Sequence, residues 1–162
     1  MSEKNPATEA PQASGQFGLQ RVYLKDLSFE APATPAVFAR EWKPQANIQM
    51  NTSAKKQGED SYEVVLTVTV TVKNEEETVY LVEVQQAGLF LVKGIEESAL
   101  ERLLGAHCPN LLFPYAHAQI NDVVIRGSFP QVPMAPVNFE ALLMEAKKQQ
   151  IEKAQQPDNT TH

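Results

Sequence analysis

Along residues 61–92 apolar and polar side chains alternate with a period of two, in two arms joined by Asn74-Glu75-Glu76-Glu77. β-Branched residues dominate both arms, and a helix would smear this pattern around its whole circumference, so the stretch predicts a β-hairpin with one buried face. In the first arm Tyr62, Val64, Leu66, Val68, Val70 and Val72 share a face, opposite Glu63, Thr67, Thr69, Thr71 and Lys73. In the second arm Tyr80, Val82, Val84, Phe90 and Val92 fall together, opposite Val79, Leu81, Glu83 and Gln85. A sheet with such a face must be covered, and the flanking segments have to supply the cover.

Two more strands precede the hairpin. Residues 17–30 alternate, with Leu19, Arg21, Tyr23, Leu27 and Phe29 on one side and Val22, Leu24, Asp26, Ser28 and Glu30 on the other. Pro32 and Pro35 stop that strand, since each lacks a donor and restricts the residue before it. Residues 36–41 read as a loop with a short turn. Residues 42–52 place Trp42, Ala46, Ile48 and Met50 on one face and Lys43, Gln45, Asn47, Gln49 and Asn51 on the other. Pro44 near its start marks this as an edge strand. The expected architecture is therefore α+β, a four-stranded antiparallel sheet with helices packed on one face.

After Val92 the apolar period lengthens to three or four. Glu96 and Glu97 open a helix at its positive dipole end, and Ala99, Leu100, Leu103 and Leu104 make its apolar stripe. Gly105 is expected to close it, and Pro114 to start a second helix that Gly127 ends after Arg126. Residues 128–137 set Phe129, Val132 and Met134 among Pro130, Pro133 and Pro136 and read as a stiff loop. Asn138 is placed to cap a last helix, with Val137 and Leu142 spaced as a hydrophobic staple; that helix turns Lys/Gln-rich toward Lys153.

Length and charge narrow the function. At 162 residues one domain with a real core is expected, over 17–154, flanked by polar tails at 1–16 and 155–162 that lack the apolar content to fold. A net charge of -6 disfavours nucleic acid or an anionic membrane as partner, and no run is apolar enough to insert in a bilayer. The single cysteine, Cys108, rules out an intrachain disulfide, and no signal-peptide pattern opens the chain. These features predict a soluble protein of the cytoplasm.

Catalytic constellations are missing. His107 and Cys108 are adjacent, so on a helix they diverge, and Cys108 reads as a small buried thiol. His117 has no partner at useful spacing and reads as structural or exposed. Three dispersed histidines and one cysteine make no zinc site, and neither a phosphate loop nor a dinucleotide fingerprint occurs. Glu75-Glu76-Glu77 reads as a solvated turn. No enzyme and no cofactor is predicted.

What remains is an excess of apolar surface. The strand from Trp42, the proline-stiffened loop, and adjacent Leu142, Leu143 and Met144 on the last helix exceed what so small a sheet consumes. Core packing is the plain reading of each alone; together they suggest a subunit interface, an open groove, or both. Asp26 and Glu30 share one side of their strand, as do Leu81 and Glu83 of theirs. If the first and last strands pair, the four form an acidic patch with an apolar centre, against the alternative of an ordinary solvated face. Such a patch favours a basic partner.

These residues resemble the SecB family of bacterial protein-export chaperones. The similarity runs through 22–32 (Val-Tyr-Leu-Lys-Asp-Leu-Ser-Phe-Glu-Ala-Pro), 62–66, Val-Glu-Val-Gln-Gln at 82–86, and Leu-Gly-Ala-His-Cys-Pro-Asn-Leu-Leu-Phe-Pro-Tyr-Ala at 104–116. It continues in Arg-Gly-Ser-Phe-Pro at 126–130 and Ala-Pro-Val-Asn-Phe at 135–139, and it covers residues 17–153 in one collinear order. Val82 and Ala87 stand where other members often carry Cys and Gly.

The resemblance implies a homotetramer, a dimer of dimers, that works as a holdase without nucleotide. It would bind unfolded secretory precursors and deliver them to the SecA ATPase. It implies SecA contacts at Asp26, Glu30, Leu81 and Glu83, and a second at the helical C-terminal end. Client contacts would map to Trp42, Ile48 and Met50, with Ala46 on the same strand face, and to Leu142, Leu143 and Met144. Val82, Val84 and Gln86 would influence tetramer assembly. The alternative from another class is an oligomeric scaffold that uses its apolar surface only for self-assembly.

Overall fold

A computed structural model describes residues 15–155. Four strands, β1 (Gln16–Glu30), β2 (Pro44–Lys56), β3 (Ser61–Asn74) and β4 (Glu77–Lys93), form one antiparallel sheet in the order β1-β4-β3-β2. The two hairpin arms pair as expected, with Val68 opposite Val84 and Val70 opposite Val82. β2 pairs only with β3, which makes it the edge strand that Pro44 suggested, and β1 forms the other edge. Gln16 and Gln155 lie inside β1 and the last helix, and Gly15 immediately precedes β1; the rest of the two expected tails, 1–14 and 156–162, falls outside the described residues.

β1 departs from strict alternation. Register shifts between Leu19 and Arg21 and between Leu24 and Asp26 put Arg21 and Tyr23 on the outer face with Asp26 and Glu30, and turn Val22 toward the core with Leu27 and Phe29. In the hairpin, alternation predicts the faces with one exception. Val64, Leu66, Val68 and Val70 are fully buried, as are Val82, Val84 and Phe90. Val79, expected on the opposite face, is buried as well. Tyr80 opposes Val72 while Thr78 opposes Lys73, so Val79 is the extra residue of a β-bulge, and the bulge turns it inward beside Tyr80. The turn between the arms passes through Glu75 at a φ of 57°, in the left-handed region.

The helical half departs from the sequence reading in one important way. The expected stop at Gly105 and fresh start at Pro114 do not occur. Instead α1 (Glu97–Arg102) runs through a π-helical turn (Leu103–His107) into α2 (Cys108–Arg126) without a break. Pro109 lies just past the π segment, and Pro114 is carried inside the helix. The reason the helix survives is its stripe: Cys108, Leu112, Ala116, Ile120 and Val124 recur every four residues and all are fully buried on the sheet. Burying each large member stabilises by roughly 1.5–3 kcal/mol, which offsets the loss at Pro114. Contact is close: a Cβ on Gly88 of β4 would sit 2.9 Å from Leu112 Cδ2 and 2.7 Å from Phe90 Cε2.

Gly127 does end α2, and the loop beyond it is pinned rather than free. Phe129 and Val132 are buried, the Val132 N–H donates to Asn121 Oδ1 at 3.1 Å, and Asn121 Nδ2 lies 3.0 Å from His117 Nε2. His117 Nε2 is also 3.2 Å from the Val132 carbonyl, so this histidine is structural. Cys108 is a buried thiol, pushed up to about 12 by burial and hence unreactive near neutral pH. The last helix, α3 (Phe139–Gln155), is capped by Asn138 Oδ1, which accepts from the Ala141 N–H at 3.1 Å.

Candidate functional site

The apolar side chains singled out on β2 and α3 meet at one place and part at others. Met50, Leu142 and Leu143 line a cleft of about 150 Å³ between β2 and α3, together with Gly105, Phe139 and Ala146. The chain makes this contact possible at Gly105, within the π turn. A Cβ there would sit 2.8 Å from Leu143 Cδ1, so a side chain at this position would force Leu143 to shift. Gly105 is thus a seat for α3 rather than a helix stop.

Ile48 is half-buried against the core between the cleft and Trp42. Trp42, expected at the start of this strand, lies just before β2 instead, stacked on Phe129 at 5.9 Å, and Phe129 in turn packs on Tyr80 at 5.0 Å and Phe38 at 5.4 Å. Asn74 holds this end in place. Its Oδ1 accepts from the Lys43 N–H at 2.8 Å, and its Nδ2 donates to the Glu41 carbonyl at 3.0 Å. Ala46 is exposed opposite Val72, and Met144 is 62% exposed; neither lines the cleft. Leu142 retains 41% exposure and Trp42 37%, so large apolar surface stays open to solvent.

A larger cleft of about 800 Å³ opens on the other side of α3, between the α1–π segment and the start of α3. Leu103, Ala106, Val137 and Phe139 give it apolar walls, and Arg102 lies on its rim with both Nε (3.0 Å) and Nη2 (2.6 Å) donating to Glu140 Oε1. Sequence reasoning missed this cleft. The signal was available in Phe139, which lines both cavities, but its meaning depended on the continuous helix that the glycine and prolines concealed.

The acidic patch forms because β1 pairs with β4. Glu30 stands opposite Leu81 and Ser28 opposite Glu83, while Asp26 stands opposite Gln85. All lie on the sheet face away from α2. Asp26 and Glu30 are exposed, Leu81 is 39% exposed, and Glu83 is half-buried, accepting from Thr69 Oγ1 at 3.1 Å. Further along the same face Glu63 accepts from Tyr23 Oη and from Lys25 Nζ, the latter at 2.7 Å. Those bonds hold the Glu63 carboxyl below the usual carboxylate range. Burial, with the neighbouring Glu63 second, pushes the Tyr23 hydroxyl up to about 12.

Val82, Val84 and Gln86 lie under α2, in this chain's own core. A second subunit cannot touch the valines directly, so any influence on assembly passes through the packing they support. Gln86 Nε2 donates to the Tyr23 carbonyl at 3.0 Å, and its buried Oε1 has no partner among the described residues.

Open apolar clefts on one side of a sheet and a charged, helix-free face on the other define a binding protein that offers surface rather than chemistry. Residues 9–150 match the family model of the preprotein translocase subunit SecB. The protein-export protein SecB of Pseudomonas syringae pv. tomato is 50% identical over 153 residues, 94% of this chain and 93% of its own length. That of Alcanivorax borkumensis is 56% identical over 137 residues, 83% of this chain and 87% of its own. The Hahella chejuensis protein is 48% identical with full coverage of both chains. The chain belongs to the SecB family, a family of protein-export chaperones and not of enzymes. A solved SecB-like chaperone of Mycobacterium tuberculosis, in complex with a ChAD peptide from an antitoxin, shares the fold. Its TM-score is 0.62 at 14% identity, over 75% of this chain and 90% of its own. Among the described residues no helix is long and apolar enough to cross a membrane.

Proposed function

We propose that this export chaperone acts in the cytoplasm as an ATP-independent holdase. It binds unfolded secretory precursors at the β2–α3 cleft and hands them to SecA from the acidic sheet face, working as a homotetramer. The observation that carries this reading is the meeting of Met50, Leu142 and Leu143 around one open cleft, with Leu142 still 41% exposed. A single apolar client side chain gains roughly 1.5–3 kcal/mol there before entropic costs, too little to select a motif. A long unfolded chain that reaches the clefts of several subunits gains avidity, and a client that folds buries the same side chains and leaves. Met50 and Met144 adapt to varied client shapes because the thioether is flexible and polarisable. The peptide-bound state of the M. tuberculosis neighbour supports the client half of this reading.

Light scattering of an aggregating unfolded precursor tests it: the protein should suppress aggregation at one tetramer per precursor. No suppression would reject the holdase, and a tetramer without affinity for any unfolded chain would leave a self-assembly scaffold. Glu83→Lys should weaken SecA binding at low salt and spare client binding. Unchanged SecA affinity would remove the acidic face from the reading.

A further inference from the structure

The outer face of the sheet is polar in two senses. Besides its acidic end, it carries a cationic one that the proposed SecA contact does not use. Moving along the strands from the Glu30–Leu81 row, the rows pass Ser28–Glu83 and Asp26–Gln85, then Tyr23–Ala87, then Arg21–Leu89. On β3 and β2 the last of these rows continues through Glu63 and Lys55. Lys25 and Lys55 stand over a pocket of about 460 Å³ whose floor and walls include Ser53, Glu63, Thr67 and Gln85. Gln85 lies in the row of Asp26, so the pocket begins where the acidic patch ends.

The pocket is a formed feature. A register shift between Leu24 and Asp26 makes Lys25 an extra residue of β1, and Lys25 Nζ is fixed at 2.7 Å from Glu63 Oε1. Glu63, 14% exposed at its side chain, is held from its other oxygen by Tyr23 Oη. One carboxylate therefore faces two lysines, Lys25 in contact and Lys55 across the strand pair. The pocket lining keeps one net positive charge beside hydroxyl and amide donors, with Arg21 exposed in the same row. Such a set accepts a carboxylate. Six residues of strand separate the Glu63 row from the Thr69–Glu83 row, about 20 Å at 3.4 Å per residue.

We infer that this face docks an extended segment of a partner polypeptide that is itself dipolar. Its basic side chains lie on Asp26, Glu30 and Glu83, and a carboxylate, from an acidic side chain or a chain terminus, lies between Lys25 and Lys55, about 20 Å along the strands from Glu83. Charge complementarity at both ends fixes the direction in which the segment lies, which an acidic patch alone cannot do. The inference rests on the acidic face being a docking surface for a basic partner.

Three labelled peptides and fluorescence anisotropy at low salt test it on the full-length protein. One peptide has three lysines, a six-residue Gly/Ser spacer, two glutamates and an amidated end; the second has glutamines for the glutamates; the third is the second with a free C-terminal carboxylate. The first and third should bind roughly fivefold tighter than the second, the sum of two modest exposed charge contacts. Lys55→Gln, which leaves the Lys25–Glu63 pair intact, should erase that difference without changing the second peptide's affinity. Equal affinities for all three peptides, each still weakened by Glu83→Lys, would overturn the carboxylate pocket and keep the acidic face. No weakening by Glu83→Lys would overturn both. A first peptide that is tighter with the third equal to the second assigns the carboxylate to side chains; the reverse assigns it to a terminus.

Discussion

α2 and α3 lie on the same side of the same sheet and are built from much the same apolar residues, yet they are bound to the fold in opposite ways. α2 buries a complete stripe from Cys108 to Val124, whereas α3 buries only Phe139 and leaves Leu142, Met144 and Ile151 exposed. What fixes α3 beyond Phe139 is one close contact, Leu143 on Gly105, and two exposed ion pairs to α1, Arg102–Glu140 and Lys147–Glu101. Apolar content alone therefore does not tell core from working surface. The spacing of the residues and the depth of what they meet do. A helix that must hold the sheet needs every fourth residue buried; one that serves passing polypeptides needs apolar side chains left over.

The comparison breaks first at Ile120. Ile120→Ala removes a fully buried member of the α2 stripe and should cost about 2–5 kcal/mol, read from urea unfolding. Met144→Ala, at 62% exposure on α3, should stay within about 0.5 kcal/mol. Similar losses at the two sites would mean that the helices share one structural role.

Alkali should separate the helices as well. The Cys108 thiol ordinarily titrates at 9.0 but is pushed up to about 12 by its burial between α2 and the sheet. The unfolded chain thus releases this proton first, so stability is intact below about 9 and declines as pH rises toward 12. Tyr80 adds to the decline from 10.0 upward, for the same reason. Urea midpoints of Cys108→Ala between pH 9 and 10 should fall less steeply than those of the parent. Parallel slopes would show that α2 does not seal the thiol.

How much of this was readable beforehand follows from the same contrast. Strand alternation depends on neighbours two residues apart, so the four strands and the placement of Asp26, Glu30, Leu81 and Glu83 on one face could be read locally. Val79 could not, because a bulge is set by pairing across the hairpin. The continuous helix was hidden by Gly105, Pro109 and Pro114, three residues whose local preference is to break. The four-residue recurrence from Cys108 to Val124 crosses Pro114 and contained the correction, but its weight came from burial against a sheet assembled elsewhere in the chain. Gly105 carries the plainest lesson. The side chain packed closest over it is Leu143, nearly forty positions away in sequence, and no pattern around it records that.

Gly105→Ala is the sharper probe of α3. The added methyl meets Leu143 Cδ1 at 2.8 Å and Cδ2 at 3.1 Å, overpacking of the kind that costs about 1–3 kcal/mol when the neighbour cannot yield. α3 should shift outward, amides around the Asn138 cap should exchange faster, and α2 should remain protected. Leu143→Ala in the same chain should restore the exchange pattern, since the truncated side chain vacates the site. Faster exchange throughout α2 would mean that the π turn, and not the seat of α3, is what the glycine serves.

Leu142→Asp changes a side chain that lines the β2–α3 cleft while keeping 41% exposure, so the fold should tolerate it. Affinity for an unfolded precursor should drop roughly tenfold, the loss of about one apolar contact. The matched control is Ile125→Asp on α2, also exposed, at 50%, but lining neither α3 cleft. Equal losses for the two variants would make client capture a property of exposed apolar surface in general.

The smallest expected effect belongs to the ion pairs that tie α3 to α1. Arg102–Glu140 and Lys147–Glu101 are about half exposed or more on every partner, so water screens them, and each contributes on the order of 0.2–1 kcal/mol. Glu140→Gln removes the charge from a carboxylate that two guanidinium nitrogens share. Global stability should move by less than the error of an unfolding curve. Local opening of α3, read by exchange at its first turns, should rise severalfold at low salt. By about 0.5 M salt the parent and the variant should converge, because the screening length falls to a few ångströms and the bond no longer distinguishes them. A difference that persists undiminished at high salt would mean that Glu140 holds α3 by packing its stem into the larger cleft, with charge incidental.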